Sequence, residues 1–117
     1  MEAHCINMAV SNTDDHLRNH AFILTKKGWI LSPLFDVNPV PYGDELALNV
    51  DSDECRISIP LAISVATHFG IAEEQGRLMA EEILSVVRDN WECLAKQYGL
   101  SRYQIESMRP AFDACYL

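Results

Sequence analysis

Asn12-Thr13-Asp14-Asp15-His16-Leu17-Arg18-Asn19, followed by Ala21-Phe22-Ile23-Leu24-Thr25, decides how the rest of the chain is read. The first run is mostly polar, with side chains that bond to nearby backbone, which marks a loop. The second is apolar and β-prone, and Trp29-Ile30-Leu31-Ser32 repeats it after Lys26-Lys27-Gly28. Two such runs around a short glycine-containing link predict a β-hairpin. Upstream, Met1, Ile6, Met8, Ala9 and Val10 suit the end of a helix. Downstream, Pro33, Pro39, Pro41 and Gly43 make residues 33–45 a loop.

Beyond that loop, Leu46 to Val50 reads as a short strand, and Ile57 and Ile59 around Ser58 give a second, weaker strand signal. The remainder reads as helical. Pro60 suits a first turn, where its missing N–H is no loss. That helix should end near His68, with Gly70 as its stop. A long helix follows from Ala72 to Gln97, with Met79, Ile83, Val87, Trp91, Leu94 and Tyr98 on one apolar stripe. Trp91 and Tyr98 are assigned to core packing rather than ligand stacking. Gly99 stops the helix, Ser101 and Gln104 form a capping box for the last one, and Pro110 bends or breaks it. The fold class is mainly α with a small β-hairpin.

The 117 residues suffice for one domain with its own core. A net charge of −8 argues against direct nucleic-acid binding and against a basic membrane-surface helix. One acidic cluster gathers Asp44, Glu45, Asp51, Asp53 and Glu54; another holds Glu73, Glu74, Glu81 and Glu82. Both read as solvated surface, with calcium the alternative for the first, although the D-x-D-G loop pattern is missing. Cys5, Cys55, Cys93 and Cys115 form no CxxC, so zinc-ribbon and thioredoxin-like motifs are unsupported. Neither a signal peptide nor a membrane span is evident. The expectation is a cytoplasmic protein with reduced thiols.

Asp14, Asn19 and Asp36 are the residues with chemistry to offer. Asp14 and Asn19 stand five apart, the spacing by which protein kinases set a catalytic Asp before a magnesium-binding Asn. Asp36 follows the hairpin, where a second metal-binding Asp would stand. Phosphoryl transfer needs the nucleophile placed in line and charge on the phosphate neutralised, largely by magnesium held on hard oxygens. Arg18 lies between, where a cation could hold phosphate or structure the loop. Alone, Asp-x4-Asn equally suits turn and capping residues. Asp15 could replace Asp14 as base, but only four residues then separate it from Asn19, so it is assigned to organising the loop. His16 and His20, four apart, could join Asp14 or Asp15 in a transition-metal site; the zincin pattern fails because Leu17 follows His16. The preferred reading has His16 bracing the loop and His20 leading into the hairpin.

The full set resembles the C-terminal lobe of HipA-like serine/threonine kinases, the toxin halves of bacterial toxin–antitoxin pairs. Their catalytic segment reads N-x-D-x-H-x-x-N, matched by Asn12, Asp14, His16 and Asn19. After an apolar hairpin comes a segment like L-x-P-x-Y-D-x-x-P, matched by Leu31, Pro33, Asp36 and Pro39, with Phe35 in place of Tyr. The resemblance continues more loosely through Trp91 and the helical tail. It implies Asp14 as catalytic base, Asn19 and Asp36 as ligands of Mg2+ with ATP, and Arg18 beside the nucleotide. It implies a protein Ser or Thr as substrate, an aminoacyl-tRNA synthetase in the best-known case, and a DNA-binding antitoxin as partner.

The family's N-terminal lobe, with its phosphate-covering loop and ATP-contacting Lys, has no counterpart here. Gly28, Gly43, Gly70, Gly76 and Gly99 never form a Gly-rich loop. The expectation is one lobe over residues 1–117, with residues 1–40 carrying loop, hairpin and metal segment and residues 60–117 the helical part. As a fragment or split kinase it would be inactive alone, binding ATP weakly or not at all. It would pair with a separate N-terminal lobe, an antitoxin or a second copy of itself. A non-catalytic interaction or antitoxin-like remnant, and a metal-dependent phosphohydrolase using the same carboxylates, remain as alternatives.

Overall fold

The computed structural model describes residues 1–117. Its elements in chain order are α1 (Glu2–Ala9), a 3₁₀ turn (Leu17–Asn19), β1 (Phe22–Thr25), β2 (Gly28–Leu31), α2 (Ile59–Ser64), a second 3₁₀ turn (Ala66–Phe69), α3 (Glu73–Gln97), α4 (Arg102–Met108) and a closing 3₁₀ segment (Arg109–Tyr116). The fold is mainly α with one antiparallel hairpin, in which Phe22 faces Leu31 and Thr25 faces Gly28. No helix is long and apolar enough to cross a membrane.

The 25-residue α3 is the spine, about 37 Å long at 1.5 Å per residue. α1, α2 and the closing 3₁₀ segment pack along it. Cys5 and Met8 of α1, Leu46 and Val50 of the long loop, Ala62 and Val65 of α2 region and Ala80 of α3 form one buried cluster. Trp91, Ile105, Ala111 and Phe112 form a second at the other end of α3. There the Trp91 and Phe112 rings stack with centroids 4.2 Å apart, and Trp91 Nε1 donates to the Tyr116 hydroxyl at 3.1 Å. Gly76 lets α3 pass close to Ala66, whose Cβ would lie 2.8 Å from a Cβ placed at that position.

Several expectations need correction. Leu46–Val50 is not a strand: one bridge, Glu45 to Arg56, is all that forms. The Asp51 carboxylate accepts from the Asp53 and Glu54 backbone N–H groups, closing a tight turn where a ladder would have to run. Those two bonds also hold Asp51 below the usual carboxylate pKa. Ile59 opens α2 rather than ending a strand, because the Ser58 hydroxyl caps it by accepting from the Leu61 N–H. The helix expected to reach His68 ends at Ser64 and continues as a separate 3₁₀ turn. The long apolar stripe is buried only in part. Trp91 is 7 % exposed, but Leu94 is 48 % and Tyr98 80 % exposed. Both face an open apolar cleft of about 460 Å³ shared with Val10, Pro39, Met108 and Phe112, so Tyr98 is not core.

Candidate functional site

α1 delivers the chain into the site through its C-terminus. The Ser11 N–H bonds to the Met8 carbonyl at 3.2 Å and the Asn12 N–H to that of Asn7 at 2.7 Å, the paired bonds of a Schellman motif. Ser11 takes the left-handed conformation this needs, with φ 49°. The reversal aims the Asn12 side chain back at α1, where its Nδ2 donates to Asn7 Oδ1 at 3.0 Å. Asn7 and Asn12 are each 1 % exposed.

Asn7 Nδ2 in turn donates to Asp15 Oδ2 at 2.7 Å. Asp15 is buried, while Asp14 beside it is exposed and stands outside this network. His20 Nε2 lies 2.9 Å and 3.0 Å from the two Asp15 oxygens. A carboxylate oxygen accepts, so the hydrogen sits on Nε2. The brace expected of His16 is therefore supplied by His20. The His16 side chain buries an Nδ1 without a partner, as Asn12 does with its Oδ1. The hydrogen bonds His16 makes within the loop are through its backbone: its N–H donates to Asn19 Oδ1 at 3.2 Å and its carbonyl accepts from the Asn19 N–H at 2.8 Å.

Asn19 ends the 3₁₀ turn, and the hairpin then carries the chain out and back. Asn19 Nδ2 donates to Asp36 Oδ2 at 3.0 Å. Asn38 Nδ2 donates to the other Asp36 oxygen at 2.8 Å. Asp36 sits at φ 56°, a region that non-glycine residues rarely enter. Two amides on its two oxygens hold it there. Arg18 is exposed on the same turn. Asn19 and Asp36 are thus brought together, and Asp15 is turned inward.

The donor set has a definite character. No group of three or more His, Cys, Asp or Glu side chains is placed to hold a metal, so an all-protein cage of the zinc kind is not built from His16, His20 and the aspartates. The donor types, one carboxylate and one amide oxygen, are those magnesium takes alongside waters and phosphates. But Asn19 points its Nδ2 at Asp36 and its Oδ1 at the His16 N–H, so an ion shared by the two residues requires the Asn19 amide to turn over. Asp36 retains lone pairs beyond those used by the two amides. In donor type, though not in the present orientation of the Asn19 amide, the residues suit a hard divalent cation such as magnesium.

Residues 1–91 match the family described as HipA-like C-terminal domain, and the chain belongs to that family. No curated protein and no solved structure matches it. The match spans α1, the polar loop, the hairpin, the Asp36 segment and α3 as far as Trp91. Sequence reading alone missed Asn7, and it weighed His20 as a metal ligand or as the lead into the hairpin rather than as the hydrogen-bond partner of Asp15. The signal for His20 was its five-residue offset from Asp15, which repeats that of Asp14 and Asn19.

Proposed function

We propose that this domain supplies the base and the metal ligands of a Mg2+- and ATP-dependent phosphoryl transfer to a protein Ser or Thr, in the manner of HipA-like kinases. The observation that carries the reading is the 3.0 Å contact of Asn19 with Asp36 across the hairpin. Asp14, exposed at the start of the loop, orients the acceptor hydroxyl and takes its proton. Asn19 and Asp36 hold the ion, which neutralises charge on the phosphate oxygens when bound. Arg18 offers a further cation to the nucleotide. The burial of Asp15 and its bonds to Asn7 and His20 support a loop-organising role for it rather than that of base.

On this reading residues 1–117 carry only part of the kinase site and transfer no phosphate by themselves. A second lobe carrying a phosphate-covering loop and a Lys completes the site, because the five glycines of this chain form no such loop. An antitoxin of the toxin–antitoxin kind, or a second copy, is the further partner. Four free cysteines suit a cytoplasmic setting.

Two measurements test this. Manganese titration followed by NMR should broaden signals of Asn19 and the Asp36 segment first; broadening that begins instead at Asp44 to Glu54 sinks the metal assignment. Calorimetry should find ATP binding by the chain alone weak or absent, and labelled phosphate should reach a protein acceptor only when a HipA-like N-terminal lobe is added. Phosphate release without an acceptor would favour the hydrolase reading.

A further inference from the structure

The two adjacent aspartates divide the labour of the loop. Asp14 is exposed, and Asp15 is 5 % exposed with both oxygens engaged. The Asp15 and His20 side chains meet at 2.9 Å across a five-residue separation. Asp14 and Asn19 have the same separation, one residue earlier. Each member of the outer pair is therefore covalently next to one member of the inner pair, and adjacent Cα atoms across a trans peptide are about 3.8 Å apart. The inner contact closes the 3₁₀ turn into a ring. It is anchored to α1 through Asn7, which bonds to Asp15 at 2.7 Å and takes the Asn12 amide at 3.0 Å.

We propose that Asp15 and His20 form a clasp that sets the spacing of Asp14 and Asn19, and so act as positioning residues for the phosphoryl-transfer site; this rests on the roles given above to Asp14 and Asn19. The pair is turned into the body of the domain, with Asp15 buried and bonded to Asn7 and His20. Asn7 and Asn12 belong to the clasp as its link to the helical body. Without it, the turn keeps two backbone bonds, Asn19 N–H to the His16 carbonyl and His20 N–H to that of Leu17, and the 3.2 Å bond of the His16 N–H to Asn19 Oδ1. The second of these is 3.2 Å long and lies at the mouth of the hairpin. Asn19 would then no longer be presented to Asp36 at one fixed angle.

The test uses the 117-residue chain without metal, so that it stands apart from the functional reading. Hydrogen exchange of the Asn19 side-chain amide reports its bond to Asp36, and exchange in the middle of α3 reports the fold as a whole. In His20→Ala, Asn19 Nδ2 exchange should quicken roughly tenfold while α3 stays unchanged, the mark of a local opening. His20→Gln, which restores an N–H donor of similar reach, should return exchange to within about threefold of the native value. His20→Asn, with a shorter reach, should behave like the alanine variant and serves if that variant does not fold. Unchanged Asn19 exchange in these variants, or equal loosening of α3, would overturn the clasp. Failure of the native chain to take manganese at Asn19 and Asp36 would overturn the functional reading and leave the exchange result standing.

Discussion

Asn19 and Asp36 meet at 3.0 Å although 17 positions of chain separate them. The hairpin between them acts as a return device: it brings the segment after β2 back to the end of the loop that precedes β1. Asp36 pays for this with a left-handed backbone, and the Asn38 amide on its second oxygen keeps it there.

The neighbouring aspartates should respond oppositely to the same substitution. Asp14→Asn changes an exposed group outside the buried network, and stability should move by no more than about 0.5 kcal/mol. Asp15→Asn sets an amide donor against the Asn7 or His20 donor in a buried site, at a cost of about 1–3 kcal/mol. Urea denaturation of both variants decides the matter. In an assembly competent for transfer, the order reverses in character: Asp14→Asn should abolish activity in a protein that is still folded. Loss of transfer through Asp15→Asn with Asp14→Asn still active would assign the base to Asp15.

What the sequence disclosed depended on which residues carried a local signal. Gly70 and Gly99 each follow a helical segment and close it with the same paired bonds that end α1. Glycine announces that geometry, so both stops were legible. At α1 the left-handed position is Ser11, and nothing local announces it. Yet this reversal is what turns Asn12 back to Asn7. Asp14, Asn19 and Asp36 were legible as candidates because their spacing in sequence matches the one by which protein kinases set a catalytic Asp and metal-binding residues. Asn7 was not, because its role arises only when α1 packs beside the loop. Tyr98 was misread for a related reason. A helical stripe shows which face is apolar, but not how far along that face another element extends.

Acid should weaken the fold through His4. Burial is the largest cause of its lowered pKa, followed by the nearby N-terminus; Asp15 acts the other way and His20 adds to the lowering. An imidazole whose folded pKa lies below its unfolded value of about 6.5 contributes its stability above that value. The contribution is lost as pH falls from there through the folded pKa. Melting temperature should therefore decline on this account as pH drops below about 6.5. His4→Phe, which keeps a ring edge-on to Phe69, should flatten that part of the profile. An unchanged slope in the variant would locate the acid sensitivity elsewhere.

Gly76→Ala sets two effects against each other. In the first turn of α3, alanine is favoured over glycine by at most about 1 kcal/mol on propensity alone. The added Cβ would lie 2.8 Å from Ala66 Cβ and 2.8 Å from Met1 Cε. The Met1 terminus can swing aside, but Ala66 is fully buried and can only shift with its 3₁₀ turn. Overpacking of this kind costs about 1–3 kcal/mol. The clash should win, leaving a net loss in thermal stability. A gain would mean that the Ala66 turn yields freely.

The hairpin should govern association. Phe22, Leu24, Trp29, Ile30 and Leu31 are each more than half exposed, and Ile23 nearly so. The two strands pair with each other and with no third strand, leaving both sheet edges open. Isolated two-stranded hairpins are marginal in water, and open apolar edges invite pairing with another chain. Covering such a surface is favourable by about 25 cal/mol per Å² of apolar area before association entropy opposes it. Lys26 and Lys27 at the turn are the only charges on the hairpin, and they direct where a partner can sit. Light scattering should show mass rising with concentration, and Trp29→Ser with Ile30→Thr should lower it toward that of a single chain. Trp29 offers an independent readout, because it is 68 % exposed while Trp91 is 7 % exposed. Acrylamide should quench the Trp29 emission in dilute solution and lose access to it as association proceeds. A mass that stays monomeric at high concentration, with Trp29 still fully quenched, would show that the hairpin tolerates water on both faces.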